Sequence, residues 1–406
     1  MTELLAPAGN FERLKTAFYF GADAAYLAYK KFGLRAFADN FDLEELQKAV
    51  DYAHALGKKV YVTLNIFAKD SDFGELIEFL PELNKIRPDG VIVSDIGVAS
   101  VVKKYAPELA LHLSTQANLM NKYAAAEYVK FGFSRLVVAR ETSLSEIRAI
   151  RDHIPDNVEI EAFAHGAMCI SYSGRCLLSS YLTGRSGNRG ECAQSCRWEY
   201  FLREKTRTDY LPIEEDDRGT YILNSKDLNM LAHLDEMIDA GVTSFKIEGR
   251  VKTAYYVASV VNAYRRALDL IKTGKPYDPP AWLLADLDKP SHRMYTTGFY
   301  LGDEKNAQCY ETSKPDATYD FIAAVLESGE GYAIVEMRNR FKIGDELEVL
   351  SPAAYHNAII KVEKMEDEED NAIVDALLVK QKLKLYTSVP LTSGDMLRRR
   401  GASADK

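Results

Sequence analysis

The sequence predicts a closed (β/α)8 barrel followed by a small antiparallel β domain. Three observations carry this. Short apolar runs alternate with amphipathic stretches eight times from the start to about residue 275; the periodicity then turns β-like from about residue 318; and a proline-rich junction, Lys275–Pro280, separates the two regimes. Strict βα alternation implies parallel βαβ units, and eight of them imply closure into a barrel of the TIM type.

The predicted strands are Leu4–Ala6, Ala24–Ala28, Val60–Leu64, Val91–Ser94, Ala110–Ser114, Leu136–Ala139, Ile160–Ala164 and Ser244–Ile247. Each is apolar at nearly every position, as strands covered on both faces must be. The helices between them are Asn10–Phe20, Leu43–Ala55, Phe73–Ile86, Ile96–Tyr105, Lys122–Phe131, Ser143–Asp152, Asp227–Ala240 and Tyr255–Lys272. Asn10 and Ser143 read as N-caps, and Gly57, Gly132 and Gly241 as stops. The runner-up, an open doubly wound sheet, lacks a G-x-G-x-x-G after its first strand. The domains follow as a barrel over 1–280, a linking segment over 281–317 and a β domain over 318–406. Its strands are Phe321–Leu326, Tyr332–Met337, Glu346–Leu350, Ala358–Val362 and Ala372–Leu378, and the basic end Leu397–Arg400 reads as a solvated tail.

Composition narrows the function. The chain has 406 residues, 47% hydrophobic and 27% charged, with a net charge of −9. That balance suits a packed core and argues against a generally basic nucleic-acid binder, though not against a local basic site. No run reaches the roughly 18–20 apolar residues of a membrane span. The opening residues lack the basic and apolar regions of a signal peptide, so a cytoplasmic protein with no membrane partner is expected.

One connection breaks the rhythm. After the seventh strand, a loop of about sixty residues at 166–225 precedes the next helix, and it carries Cys169, Cys176, Cys192 and Cys196. Ordinary βα loops have roughly 2–6 residues, and this one leaves the carboxyl end of a barrel strand, where barrel enzymes build active sites. The spacing C-x6-C-x15-C-x3-C fits tight zinc knuckles poorly. Four cytosolic thiolates also suit an iron–sulfur cluster, and zinc or unligated buried thiols remain open on spacing alone. Cys309 reads as an ordinary buried thiol. Around the cysteines stand Arg185, Arg189, Arg197, Arg203, Lys205 and Arg207, with Trp198 among the interleaved aromatics. Basic and aromatic residues together suit single-stranded RNA, with arginines on phosphates and rings under unstacked bases; a solvated loop stapled by aromatics has the same composition.

Other polar residues sit where barrel strands end and should converge on one mouth. His165, Glu161, Lys246 and Glu248 are the candidates for chemistry. Arg140, Arg250, Asn65, Gln116 and Asn118 are the candidates for holding a co-substrate, and Arg140, Lys246 and Arg250 together suit a dianion. No G-x-S-x-G elbow, H-E-x-x-H helix or Walker loop is present, which removes support from the standard hydrolase and phosphotransferase readings.

The stretch Glu161–Ser179, with His165-Gly166, Cys169 and Gly174-Arg175-Cys176, resembles the signature of the collagenase-like U-thirty-two peptidase family. The resemblance continues through Arg189-Gly190-Glu191-Cys192, Cys196–Tyr200, Asn224–Leu228 and Lys246–Arg250. It begins at Glu3–Gly9 and reaches the terminal β domain. It implies hydroxylation rather than proteolysis: an oxygen-independent enzyme that converts wobble uridine of tRNA to 5-hydroxyuridine, with prephenate as hydroxyl source. It further implies that Cys169, Cys176, Cys192 and Cys196 hold a 4Fe-4S cluster. Expected partners are tRNA, prephenate, and a second family member or an iron or sulfur delivery protein. Relatives acting on ribosomal RNA or quinone precursors, a true peptidase, and a zinc-stabilised RNA-binding protein are the competing readings.

Overall fold

The computed structural model describes residues 2–34, 39–198, 225–302 and 316–401, together with a backbone pairing of Glu215–Asp216 with Gly219–Thr220. Eight parallel strands close a barrel. They are β1 (Glu3–Pro7), β2 (Ala24–Ala28), β3 (Lys59–Leu64), β4 (Gly90–Val93), β5 (Ala110–Leu113), β6 (Arg135–Val137), β7 (Glu159–Ala167) and, after an intervening short strand β8 (Asp227–Asn229), β9 (Ser244–Ile247). Neighbours pair in chain order, and β9 closes the ring on both β7 and β1, with Glu3 opposite Ser244 and Glu161 opposite Ser244.

The helices α1 (Phe11–Tyr19), α2 (Leu43–Ala55), α3 (Phe73–Ile86), α4 (Ile96–Tyr105), α5 (Lys122–Phe131) and α6 (Leu144–Arg151) wrap the outside. They begin and end where the sequence signals. Asn10 accepts the Arg13 amide as N-cap, and Ser143 forms a reciprocal box with Glu146. Gly57, Gly132 and Gly241 all take positive φ at the helix exits.

Alternate positions along the strands point inward and form layers. The lower layer is charged. Arg135, 1% exposed, donates to Glu3 Oε1 at 2.6 Å, to Glu159 at 2.8 Å and to Glu161 at 3.2 Å. Its charge overcomes burial and holds the Glu3 carboxyl below the usual range. Leu5, Tyr26 and Ile92 form an apolar layer, and the barrel opens beyond it.

Three expectations are corrected here. The helix expected over Asp227–Ala240 starts only at Leu234: Asp227–Asn229 is β8, paired antiparallel with an extension of β7, and α8 is the short Leu234–Asp239. For the same reason the cysteine loop begins after Ala167 rather than at 166, since Gly166 pairs with Leu228. The end of the chain is not a solvated tail. Met396–Arg400 is a central strand of the β domain, and Arg398 is completely buried.

Two helices, α9 (Ala254–Ile271) and α10 (Ala281–Ala285), and a short strand β10 (Tyr295–Thr296) beside β8 lead to the β domain. Its main strands are β11 (Tyr319–Gly329), β12 (Tyr332–Met337), β13 (Glu346–Leu350), β14 (Ile359–Lys361), β15 (Met365–Glu366), β16 (Ala372–Ile373), β17 (Lys382–Tyr386) and β18 (Met396–Arg400). They form one antiparallel sheet in the order β14-β13-β18-β11-β12-β17-β15-β16, curled around its own apolar core. Among the described residues no helix is long and apolar enough to cross a membrane.

Candidate functional site: a cysteine loop over the barrel mouth

The carboxyl ends of the strands aim polar side chains into the mouth. Thr63 and Asn65 come from the end of β3 and its exit, Ser114 and Gln116 follow β5, Arg140 follows β6, and Lys246, Glu248 and Arg250 come from β9 and its exit. Two close backbone approaches shape this rim. A Cβ on Gly166 would lie 2.5 Å from the Glu248 carbonyl oxygen, and Gly166 has φ +108°. A Cβ on Gly9 would lie 2.3 Å from the Arg250 carbonyl oxygen. Only glycine admits both crossings.

The cysteine loop lies across this mouth as a structured roof, with one short helix, α7 (Leu178–Thr183), and several tight turns. Three anchors lace it to the barrel, and Arg197 closes the loop on itself. Ser173 donates its amide and hydroxyl to Glu141 at 2.6 and 2.9 Å. Arg175 Nε donates to the Gln116 carbonyl at 2.8 Å. Arg189 grips Asp72 through two 2.8 Å bonds, which hold that carboxyl down to about 2, and also reaches the Phe67 carbonyl. Arg197 donates to the Ser225 and Met168 carbonyls at 2.8 and 3.1 Å.

Cys169, Cys176, Cys192 and Cys196 all line the same cavity beneath this roof and form no disulfide. At three of them the sulfur accepts the amide two residues on: Ser171 to Cys169 at 3.4 Å, Leu178 to Cys176 at 3.3 Å and Gln194 to Cys192 at 3.4 Å. Burial first, and then the other three cysteines, push the Cys196 thiol up against the opposing pull of Arg197. The four sulfurs are therefore electrostatic neighbours. Among the described residues, however, no three His, Cys, Asp or Glu side chains close on the position of a single metal ion.

The cavity between roof and barrel measures about 560 Å³, within the usual range for small-molecule sites. Its floor is the inward layer of Tyr26, Thr63, Ile92, Val137 and Phe163, and its wall is cationic: Arg140, Arg197, Lys246, Arg250, Lys252 and Arg293 against Glu248. Some of this charge is balanced locally. Arg140 pairs with Glu248 at 3.0 Å, Lys246 with the buried Glu161 at 2.6 Å and Arg293 with Asp227 at 3.3 Å. Arg250 donates to Thr63 Oγ1 at 3.1 Å. Lys252 donates to the Ser291 carbonyl at 3.2 Å, and burial lowers its ammonium below the usual lysine range. Among the described residues six cations face three carboxylates here, a field suited to an anionic ligand.

The structure brings together Asn65, Gln116, Arg140, Lys246, Glu248, Arg250, the four clustered cysteines and Arg197. Glu161, His165 and Asn118 do not line the cavity. Glu161 is fully buried between Arg135 and Lys246 in the barrel interior. His165 faces Tyr256, Tyr264 and Tyr295 beside α9, where burial pushes its imidazole down to about 3. Arg189 is committed to the Asp72 anchor, whereas Arg185 and Trp198 stand exposed on the roof. Arg203, Lys205, Arg207 and Cys309 lie outside the described residues. Sequence reasoning missed Lys252, Arg293 and the anchor Asp72; Glu141 and Arg175 are readable as a strand-end carboxylate and a basic loop residue, but not as anchors. Lys252 could have been found two positions past Arg250 at the same strand exit; Arg293 sits in the linking segment, where nothing marks it.

Comparison with known proteins fits this architecture. The family model described as Peptidase family U32 matches residues 9–309, and that of its C-terminal domain matches residues 317–398. A tRNA hydroxylation protein of Bacillus subtilis is 38% identical over 405 residues, covering 98% of this chain and 94% of that one. A tRNA hydroxylation protein of Escherichia coli is 36% identical over 91% of this chain and 90% of its own. A 23S rRNA 5-hydroxycytidine synthase of Escherichia coli is 38% identical over 275 residues, 66% of this chain but 39% of that protein. With both family models spanning barrel and β domain, the chain belongs to peptidase family U32.

Proposed function

We propose that this chain is an RNA-modifying enzyme that hydroxylates C5 of the wobble uridine in tRNA, with a 4Fe-4S cluster on Cys169, Cys176, Cys192 and Cys196 and with prephenate as the hydroxyl source. The observation that carries the reading is the cysteine roof over a cationic cavity at the carboxyl end of the barrel. The similarity to tRNA hydroxylation proteins over nine-tenths or more of both chains supports tRNA as the target. The rRNA-modifying relative matches over only about two-fifths of its own length, which favours tRNA over ribosomal RNA.

The four cysteines suit a polynuclear cluster. All four line one cavity, and an all-thiolate donor set is what such a cluster takes. Amide bonds to three sulfurs are a known lever on cluster potential. Such a cluster supplies electron-transfer or Lewis-acid chemistry at the mouth. The chain's own residues do the rest. Arg250, Lys252 and Arg140 offer a dicarboxylate the charge and donors that arginine and lysine supply best, and the cysteine roof lies over them. The target base must leave its stack to enter, as for other enzymes that act on bases.

Mass spectrometry of tRNA nucleosides from cells lacking the protein tests this. Loss of 5-hydroxyuridine from tRNA is expected, restored by the intact gene and not by a Cys169→Ala copy. Unchanged tRNA with an altered ribosomal RNA nucleoside, or with an accumulated quinone precursor, would transfer the activity to that substrate. Iron-free protein from anaerobic purification would remove the cluster.

A further inference from the structure

Gln116 holds a buried hydrogen-bonding atom that the protein leaves unused. Its side chain lines the cavity and is 5% exposed, and Oε1 has no hydrogen-bond partner among the described residues. Its backbone is pinned on both sides: the amide donates to Ser114 Oγ at 3.3 Å, and the carbonyl accepts from Arg175 at 2.8 Å. The far end of the side chain lies against the Gly174 turn of the cysteine roof, where a Cβ would sit 3.5 Å from Nε2. A buried acceptor without a donor costs free energy unless a ligand supplies one. Carboxylates offer no donor, so this atom is poorly matched to the anion that the cavity's cations attract.

We propose that Gln116 reads the imide edge of the target uracil, its Oε1 accepting the N3–H. This inference rests on the RNA reading above and names the residue that selects the base. Uracil has a single ring donor on that edge, N3–H, whereas cytosine presents a lone pair there. Holding the O2–N3–H edge leaves the opposite C5–C6 edge directed away from Gln116, so the reacting carbon faces the rest of the cavity. Arg175 bonds the Gln116 backbone carbonyl, which ties the backbone bearing the base-reading side chain to the segment that carries Cys176.

The test is binding, which needs no co-substrate. Anaerobically purified, iron-loaded protein is titrated with anticodon stem-loops carrying uridine or 3-methyluridine at the wobble position. The unaltered protein should bind the uridine loop about tenfold more tightly, because the methyl group removes the donor and fills its space. In Gln116→Ala the two loops should differ by less than twofold. Gln116→Met, which keeps the volume without the acceptor, should lose affinity for the uridine loop toward that of the 3-methyluridine loop, and it decides the matter if the alanine variant loses its iron. A tenfold difference that persists in these variants would overturn the assignment. Unaltered protein that binds no stem-loop better than one of scrambled anticodon would overturn the RNA reading itself, and this inference with it.

Discussion

His165 illustrates what a single side chain's surroundings decide. It stands in the sequence four residues before Cys169 and looks like a catalytic base, yet the fold turns it toward Tyr264 and away from the cavity. Burial drops its imidazole to about 3, with Asp227 opposing. The unfolded chain, near 6.5, therefore binds more protons between those values. Stability from this group is complete above about pH 6.5 and is lost as pH falls toward 3. Urea midpoints should show the unaltered protein losing on the order of 2 kcal/mol more than His165→Gln between pH 7 and pH 4.5; equal losses would mean that the ring is hydrated. The cysteines are the opposite case, legible because four thiols in one loop have few chemical uses. Cys169→Ala, Cys176→Ala, Cys192→Ala and Cys196→Ala should each lose most of the bound iron, and Cys309→Ala should keep it. Iron per chain, measured by colorimetry after anaerobic purification, checks both halves; equal loss in Cys309→Ala would reassign the ligands.

At the scale of elements, the strands that are buried on both faces were readable and the improvised ones were not. Val60–Leu64 and Ala24–Ala28 are buried throughout, and apolar but for Thr63, because helices and barrel interior cover both sides. Asp227–Asn229 carries the spacing of a helix with Leu228, Leu231 and Leu234, but it pairs with β7 because β7 outruns the barrel and leaves an edge to be satisfied. The roof was legible as a site and illegible as a structure, since its anchors join residues far apart in sequence. Arg189 with Asp72 is the clearest: a bidentate pair, neither side chain more than a third exposed, spanning 117 positions. Asp72 is held at about 2, so the pair is intact above about pH 4 and is lost only as pH falls through 2. Asp72→Asn should release that corner at neutral pH, costing about 1–2 kcal/mol of loop closure. Limited proteolysis should then cut within the cysteine loop faster and iron should leave sooner, while the global urea midpoint stays nearly unchanged. A loop as resistant as before would show that Glu141 and Arg175 suffice to hold it.

Across the whole molecule, the β domain closes the barrel's seam. The first and last barrel strands, β1 and β9, meet with α1 and α9 outside them, and the β domain rests on those two helices. Tyr255 of α9 stacks on Phe321 at 5.4 Å, Tyr19 of α1 donates to Asp395 at 2.8 Å, and Arg266 of α9 reaches three carbonyls of residues 351–353. Behind them lies a buried ion cluster. Asp286, in the linking segment, accepts from Arg398 at 2.7 Å, Lys289 at 2.7 Å and His356 at 2.6 Å, and Arg398 and Lys289 also share Glu348. The cations overcome burial and hold the Asp286 carboxyl well below its usual range. The two sides of this cluster are not equivalent. Removing the carboxylate by Asp286→Ala leaves Arg398 and Lys289 sharing, among the described residues, one carboxylate, Glu348, and the neutral Asn357 amide, an uncompensated buried charge that costs about 3–5 kcal/mol. Removing the guanidinium by Arg398→Met keeps much of the volume and leaves Lys289 bridging Asp286, which also keeps the His356 ring N–H, and Glu348, whose side chain is 11% exposed where Arg398 is wholly buried. That change should cost less than about 2 kcal/mol. Denaturation midpoints should therefore fall further for Asp286→Ala, with hydrogen exchange quickening together in α9 and β18, the two faces of the joint. Equal shifts in the two variants would mean that packing, rather than the charge cluster, holds the domain against the seam.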